Sequence, residues 1–284
     1  MSDRNASLTA LGTAYLRAAH QLFDPQPRIL EDPVAVQLLG PAALQWINDQ
    51  ADLYKTSEQR SLRSHIVLRS RFTEDCLEAA VLRGIEQYVI LGAGFDTFAF
   101  RQPAWAHALK ILEVDHSGTQ TMKRSQIAAA GYVMPKNADF ANIDFEHESL
   151  REGLLRYHVS PDEPIFFSWL GVTMYLKEEA INEVLRSVAS FPEGSEIVLT
   201  FRQPPDPAVG SATDFSSQLA PLVASIGEPY VSYFKPEAIE VKLRGTGFSK
   251  VEFLLPAEAE ERYFRQYSGD LPVPKQTNIL RAVL

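Results

Sequence analysis

Short apolar runs alternate with helical segments from residue 87 onward, and this alternation constrains the fold more than any other feature of the chain. The runs, rich in β-branched and aromatic residues, cover 88–91, 109–114, 164–169 and 196–201. The helical candidates between and after them cover 118–130, 147–156, 178–190 and 236–245. Strands that alternate with helices form crossover units, so the pattern predicts an α/β protein with a parallel sheet.

The two ends of the chain depart from this alternation. The first stretch, about residues 6 to 84, carries apolar residues at three- and four-residue spacing and predicts helices interrupted by prolines. The last stretch holds two strand-like runs, "SKVEFLLP" and "TNILRAVL", which suit a sheet with one antiparallel strand near its edge. We therefore divide the chain into a helical region over 1–85 and a sheet domain over 86–284. Residues 203–233 form an insertion over the carboxyl ends of the strands, where such sheets bind ligands.

The composition excludes several classes of function. The net charge of the 284 residues is −9, which disfavours nucleic acid and anionic lipid surfaces as partners. Cys76 is the only cysteine, so neither an internal disulfide nor a cysteine zinc site can form. The start of the chain is too polar for a signal peptide, and no apolar run approaches the length of a membrane span. These features predict a cytoplasmic protein.

A glycine turn, "LGAG", follows the first strand and leads into "FDTFAFR". Gly92 and Gly94 leave the backbone open to a ligand, but Thr97 stands where a dinucleotide fingerprint has its third glycine. A nucleoside therefore suits this turn better than a pyrophosphate, and the alternative is a tight turn without a ligand. Asp115 ends the second strand about 20 residues later, where an acid accepts hydrogen bonds from ribose hydroxyls. Glu113 has the same strand parity and is the alternative candidate.

Arg69 is the charged residue that does not fit its helix. It lies on the predicted buried stripe, whereas Arg71 is turned about 200° away and can pair with Glu74 or Asp75. A buried guanidinium needs an anionic partner. That partner is either a carboxylate elsewhere in the chain or the carboxylate of a nucleoside that bears an amino acid. The stripe is formed by Leu62, Ile66, Phe72, Cys76 and Ala80.

Such a nucleoside without phosphate is S-adenosylmethionine, and the sequence also resembles a family that uses it. The stretch "VILGAGFDTFAFR" resembles the signature of the leucine carboxyl methyltransferase family, and most closely its bacterial branch. The resemblance covers most of the chain, because further segments follow in the family's order. They are "SLTALGTAYLRAAH", "ILEDPVA", "RSRFTED", "EVDH", "IDFEHESLREGL" and "FFSWLGVTMYLKEEAI". It implies a class I methyltransferase: a Rossmann-like seven-stranded sheet with helices on both faces and a helical N-terminal cap.

The resemblance also implies roles for individual residues. Gly92 and Gly94 pass beneath the methionine part of the cofactor, Asp115 binds the ribose, and Arg69 binds the cofactor carboxylate. Asp144 accepts a hydrogen bond from the adenine amino group, and the backbone N–H of Phe145 donates to the adenine ring. "ADF" at Asp139 resembles "IDF" at Asp144 and is the alternative, but the residues that follow favour Asp144. The sequence departs from the family in one place, since Leu170 stands where the eukaryotic enzymes have a glutamate.

These features together predict an S-adenosylmethionine-dependent O-methyltransferase that modifies a carboxyl or hydroxyl group of a small molecule without a metal. A carboxylate needs no general base, whereas a hydroxyl needs one, and none of the histidines lies in a catalytic motif. Tyr175 follows the fourth strand and is a candidate for the acceptor pocket. The alternatives are a protein that binds the cofactor without turnover and a nicotinamide-dependent oxidoreductase. The catalytic residues, the acceptor and the oligomeric state are not determined by the sequence.

Overall fold

The computed structural model describes residues 6–205 and 215–284. The strands are β1 Gln87–Leu91, β2 Lys110–Asp115, β3 Ala138–Asn142, β4 Ile165–Trp169, β5 Glu196–Thr200, β6 Lys250–Phe253 and β7 Ile279–Val283. The helices before the sheet are α1 Leu8–Phe23, α2 Pro33–Asp49, α3 Ala51–Tyr54 and α4 Ser57–Leu82. The later ones are α5 Ser117–Ala129, α6 Leu150–Arg156, α7 Glu178–Ala189, α8 Phe215–Ser225, α9 Pro236–Thr246 and α10 Pro256–Ala259.

The seven strands form one sheet in the order β3-β2-β1-β4-β5-β7-β6. The pairs among β1 to β5 are parallel, and β7 runs antiparallel to both of its neighbours. The chain winds outward from β1 in one direction through β2 and β3, and in the other through β4 and β5. The predicted fold class is therefore confirmed. The order reverses beside β1, and such a reversal opens a crevice at the carboxyl ends of the strands.

Each face of the sheet buries an apolar core. On one face, side chains of α6, α7 and α9 cover Leu91, Phe167 and Leu199 of three strands. On the other face, α4 packs Leu68 and Leu77 against the sheet. Both faces of the central strands are covered, which explains why these strands are almost continuously apolar in the sequence.

The N-terminal helices form a cap that has a small core of its own. Ala18 of α1, Ile47 of α2 and Ile66 of α4 meet in this core. The starts of the helices follow from local chemistry: the Ser7 hydroxyl accepts a hydrogen bond from the Ala10 N–H at 3.0 Å, and Asp32 caps α2 just before Pro33. Because α4 contributes to the cap core and to the sheet core, it links the two. The division of the chain at residue 85 stays a prediction.

The structure corrects two details of the predicted elements. The strand β3 was not predicted, because "ADFAN" buries only Phe140 and Ala141 and carries polar residues around them. The helix predicted over 147–156 begins at Leu150, where the Ser149 hydroxyl caps it. The predicted insertion over 203–233 contains α8, and residues 206–214 of it lie outside the described residues. No helix in the described parts of the chain is long and apolar enough to cross a membrane.

Candidate functional site

A large cavity lies between the cap and the carboxyl ends of β1, β2 and β4. Its volume is about 2240 Å³. It is lined by the glycine turn after β1, by Asp115 at the end of β2, and by residues 170–176 after β4. The other walls come from α1, α4, the segment from α8 to residue 237, and residues 272–278. The cavity thus occupies the place at which a doubly wound sheet binds ligands.

The glycine turn has a backbone that only glycine adopts easily. Gly92 has φ +65° and Gly94 has φ +52°. A Cβ on Gly92 would lie 2.3 Å from Cγ2 of Val172, and one on Gly94 would lie 3.2 Å from Cβ of Ala10. The turn is therefore held from both sides, by the loop after β4 and by α1. Both glycines line the cavity.

Asp115 supports this turn and also faces the cavity. Its Oδ2 accepts a hydrogen bond from the Gly94 N–H at 2.5 Å, and its Oδ1 accepts one from the His116 N–H at 2.7 Å. Burial raises the pKa of Asp115, and the two N–H donors oppose that rise. Glu113, the alternative candidate, does not line the cavity: it is fully buried and pairs with Lys123 of α5. Of the two acids, Asp115 is the one placed to bind a ligand.

The two candidates for the adenine contact separate by their place on β3. Asp139 is the second residue of β3 and is exposed, far from the carboxyl end of the strand. Asp144 follows the carboxyl end, where its Oδ1 accepts a hydrogen bond from the Glu146 N–H at 3.0 Å and its Oδ2 pairs with His147 at 2.9 Å. Phe145 lines the cavity, whereas Asp144 is not among the residues that line it. The adenine roles of Asp144 and Phe145 stay predictions.

Arg69 lines the cavity from α4 and has no anionic partner within the described part of the chain. It makes no ion pair there and donates no side-chain hydrogen bond. Its guanidinium lies beside Gly171, since a Cβ on that glycine would be 2.7 Å from Nη1 of Arg69. Burial lowers the pKa of Arg69 to about 10. Arg71 lies on the exposed face and pairs with Asp75 at 2.7 Å, as the helical phase predicts. An anion that enters the cavity would therefore supply the negative charge that the Arg69 guanidinium lacks.

A buried polar network next to the glycine turn was missed in the sequence. Nε of Arg17 donates to Asp32 at 2.9 Å and its Nη2 donates to Thr97 at 2.8 Å, while Asp96 lies 3.4 Å from Nη1. Arg101 joins the network through Asp32 at 3.4 Å. It ties α1 and the start of α2 to the residues that follow the glycines. In the sequence, "ILEDPVA" carries only a helix break and a family resemblance, and neither indicates that its Asp32 binds Arg17.

The far end of the cavity carries a group of hydrogen-bonding and cationic side chains. The rings of Tyr175 and Tyr230 lie 5.3 Å apart, and the Arg202 guanidinium stacks 4.2 Å above Tyr230. His65 of α4 lines the same region, and burial, together with Arg69 and Arg202, lowers its pKa to about 3. Tyr175 was a candidate for the acceptor pocket and does line the cavity. Arg202 and Tyr230 were not singled out, because nothing in the sequence places them beside α4.

Leu170 and Glu228 also line the cavity. The sequence departs from the family resemblance at Leu170, and the side chain of this residue packs onto the sheet core. Glu228 accepts hydrogen bonds from the Leu8 N–H at 2.9 Å, from the Thr9 N–H at 3.0 Å and from the hydroxyls of Ser7 and Thr9. This one carboxylate fastens the start of α1 to the segment after α8, across the cavity.

The remaining histidines offer little to a reaction in the cavity. His20 is buried and pairs with Asp24 at 2.6 Å, and His158 lies just beyond α6. His116 lines the cavity and lies 3.8 Å from Asp144. Asp144, Glu146 and His147 form the one described group whose ligand atoms are close enough to share a metal ion, and all three are partly or fully exposed.

Known proteins resemble this chain over most of its length. The sequence model of the leucine carboxyl methyltransferase family matches residues 10–189. The Bacillus subtilis protein YktD, provisionally named as an S-adenosyl-L-methionine-dependent methyltransferase, is 29% identical over 307 residues, which cover 100% of this chain and 99% of YktD. A Parafrankia protein with the same provisional designation is 30% identical over 194 residues, which cover 67% of this chain and 61% of that protein.

Solved structures show the same architecture. A structure from Thermobifida fusca, provisionally named a methyltransferase, superposes with a TM-score of 0.57 at 15% identity and covers 98% of this chain and 95% of that one. A DUF574 family protein from Streptomyces avermitilis superposes with a TM-score of 0.54 at 12% identity and covers 94% of this chain and 95% of that one. At these identities the likeness concerns the fold alone.

Proposed function

The chain belongs to the leucine carboxyl methyltransferase family, and we propose that it transfers a methyl group to an oxygen of a small organic molecule. S-adenosylmethionine is the cofactor, and methyl transfer is the activity of this kind of protein. The observation that carries the finer proposal is the far end of the cavity, where His65, Arg202 and two tyrosines line the space next to Arg69.

The residues at the near end fit the cofactor. Arg69 lacks an anionic partner in the described chain and would bind the carboxylate of the methionine part. Asp115 would accept hydrogen bonds from the ribose, and the glycine turn leaves room for the chain between them. When bound, the cofactor supplies an electrophilic methyl group on a positively charged sulfur. The protein then has to orient the acceptor oxygen toward that methyl group, and positioning alone is worth about 7 to 11 kcal/mol.

The electrostatics of the far end favour an acceptor that arrives ionised. Arg202 disfavours a cationic acceptor such as an ammonium group, and it stabilises an anionic oxygen. Because burial keeps the pKa of His65 at about 3, this imidazole is neutral at pH 7 but is a weak general base. A carboxylate or an acidic phenol needs no base. His65 and the hydroxyls of Tyr175 and Tyr230 would then orient the acceptor by hydrogen bonds.

A methyl-transfer assay tests this proposal directly. The protein is incubated with S-adenosylmethionine, with and without a chelator, and with a panel of carboxylic acids, phenols and amines. We expect a mass gain of one methylene on acids or phenols, no gain on amines, and no effect of the chelator. Product formed on amines alone would refute O-methylation. Tight binding of S-adenosylhomocysteine without any product across the panel would support a protein that binds the cofactor without turnover.

A further inference from the structure

The mouth of the cavity is lined by large apolar side chains that are exposed to solvent. Single exposed apolar residues are normal on a protein surface, but several that line one cavity point to a binding site. The set comes from α1, from α2 and α3, and from the segment after α7 that contains α8. Its members are Leu8, Trp46, Leu53, Leu222, Ile226 and Val231.

The apolar lining continues inward from this mouth. Leu62 and Ile66 of α4 and Val223 of α8 line the cavity behind the exposed residues. Trp46 is held in place by edge-on contacts with Tyr15 and Tyr54, with ring centroids 5.5 Å and 6.3 Å away. The mouth is therefore part of an ordered surface that leads into the cavity toward His65 and Arg202.

The size of the cavity leaves room for a large acceptor. A binding site for one drug-sized molecule occupies about 300 to 1,000 Å³. The cavity of this protein is about 2240 Å³, well above what one nucleoside cofactor fills. Exposed apolar side chains lie at the mouth, where exposed charged ones such as Lys235 and Glu237 also line the cavity, while His65 and Arg202 are only partly exposed. A ligand that contacts both His65 with Arg202 and the apolar part of the mouth has a polar head and an apolar body.

We propose that the methyl acceptor is an amphipathic organic acid whose acidic group points inward to Arg202 and whose apolar body lies against the side chains of the mouth. This inference rests on the proposed O-methyl transfer and specifies the class of acceptor. The apolar body is bound by removing its surface from water, so affinity rises with the length of that body.

The test uses hexanoate, octanoate and decanoate as probes, each titrated by calorimetry into the protein saturated with S-adenosylhomocysteine. We expect the dissociation constant to fall about fourfold for each added methylene, which corresponds to about 0.8 kcal/mol. Leu222→Ser should weaken decanoate binding by about tenfold and hexanoate binding by less. Leu255→Ser is the matched control, because Leu255 is 60% exposed and lies outside the cavity, whereas Leu222 is 62% exposed and lies at its mouth.

Several results would overturn the inference. Affinity that does not depend on chain length would do so, as would equal effects of Leu222→Ser and Leu255→Ser, which indicate general surface binding. A dimer in solution that Leu222→Ser dissociates would show that a second copy of the chain covers the mouth. Methylation of a peptide ending in leucine, in preference to the alkanoates, would assign the mouth to a protein substrate. Failure of S-adenosylhomocysteine to bind is a separate result, and it counts against the proposed function instead.

Discussion

Arg17 and Arg69 line the same cavity from two helices of the cap, but only the charge of Arg17 is compensated by carboxylates of the protein. Arg17 is bound by Asp32, Asp96 and Thr97, and although burial opposes its charge, the two carboxylates keep its pKa above the usual value. Arg69 has no such partner among the described residues, and burial lowers its pKa to about 10.

The difference separates a charge that is compensated within the protein from a charge that is left for a ligand to compensate. An unpaired buried cation costs free energy, and a structure retains one where a ligand compensates for it. Arg17 is therefore part of the framework that fixes the glycine turn, whereas we propose that Arg69 is part of the ligand site. Each of the following substitutions tests one side of this division.

The largest effect is expected for Arg17→Met, measured as the free energy of unfolding in urea without ligand. The substitution removes the main partner of Asp32, whose carboxylate is fully buried. Breaking a buried pair in this way costs about 3 to 5 kcal/mol. Arg186→Met is the control, because Arg186 forms an exposed pair with Glu183 at 2.8 Å and should cost at most about 1 kcal/mol. Equal losses in the two variants would show that Arg17 is not part of the framework.

The next effect is expected for Arg69→Met, measured as the dissociation constant of S-adenosylhomocysteine. Methionine keeps the apolar bulk of the stem and removes the charge. Affinity should fall by about 2 to 5 kcal/mol, the usual cost of truncating one side of a buried charge pair. The free protein should unfold at the wild-type temperature or above it, because a partly buried cation without a partner among the described residues has been removed.

Arg71→Met is the matched control for Arg69→Met, since Arg71 is exposed and lies two residues away on the same helix. It should change neither measurement. If Arg69→Met destabilised the free protein but left cofactor affinity intact, Arg69 would be a structural residue and the comparison with Arg17 would fail.

An effect of intermediate size is expected for Asp115→Asn, again measured as the affinity for S-adenosylhomocysteine. The amide keeps one oxygen that can accept from the Gly94 N–H, but it removes the charged acceptor for the ribose. Affinity should fall by about 1.5 to 3 kcal/mol, the range for hydrogen bonds to charged groups. Asp139→Asn, on the exposed part of β3, should leave affinity unchanged. Similar losses in both variants would move the ribose contact away from Asp115.

The parts of the molecule that could be predicted from the sequence are those with a local signal. The central strands β1, β2, β4 and β5 bury both faces and stand out as apolar runs, whereas the edge strand β3 does not. The helical phase placed Arg69 and Arg71 on different faces because that phase depends only on nearby residues. The family segments added the ligand roles that local patterns do not contain.

The parts that could not be predicted depend on contacts between distant residues. Arg17 meets Thr97 across 80 positions, and Glu228 meets Thr9 across 219. No periodicity records such pairs, because they exist only once the cap has closed over the sheet. The same holds for the apolar mouth, whose leucines look like ordinary core residues in the sequence until the fold leaves them exposed around one opening.

The smallest effect is expected for the pH dependence of stability that His65 causes, next to the uncompensated charge of Arg69. Its pKa in the folded protein is about 3, below the value of about 6.5 in an unfolded chain. As the pH falls below about 6.5, His65 becomes protonated in the unfolded chain but stays neutral in the folded protein. The stability that is present above this pH is therefore lost progressively toward about pH 3. Between about pH 7 and pH 5 the loss is on the order of 1 kcal/mol once the partial exposure of the side chain is allowed for, or about 2 °C in melting temperature. His65→Gln should remove this part of the acid sensitivity, and the exposed His107→Gln should not. If both variants lose stability with acid as the wild type does, the pKa of His65 is the same in the folded and unfolded chains. The positive charge of Arg69 would then be compensated within the protein, and the contrast with Arg17 would fail.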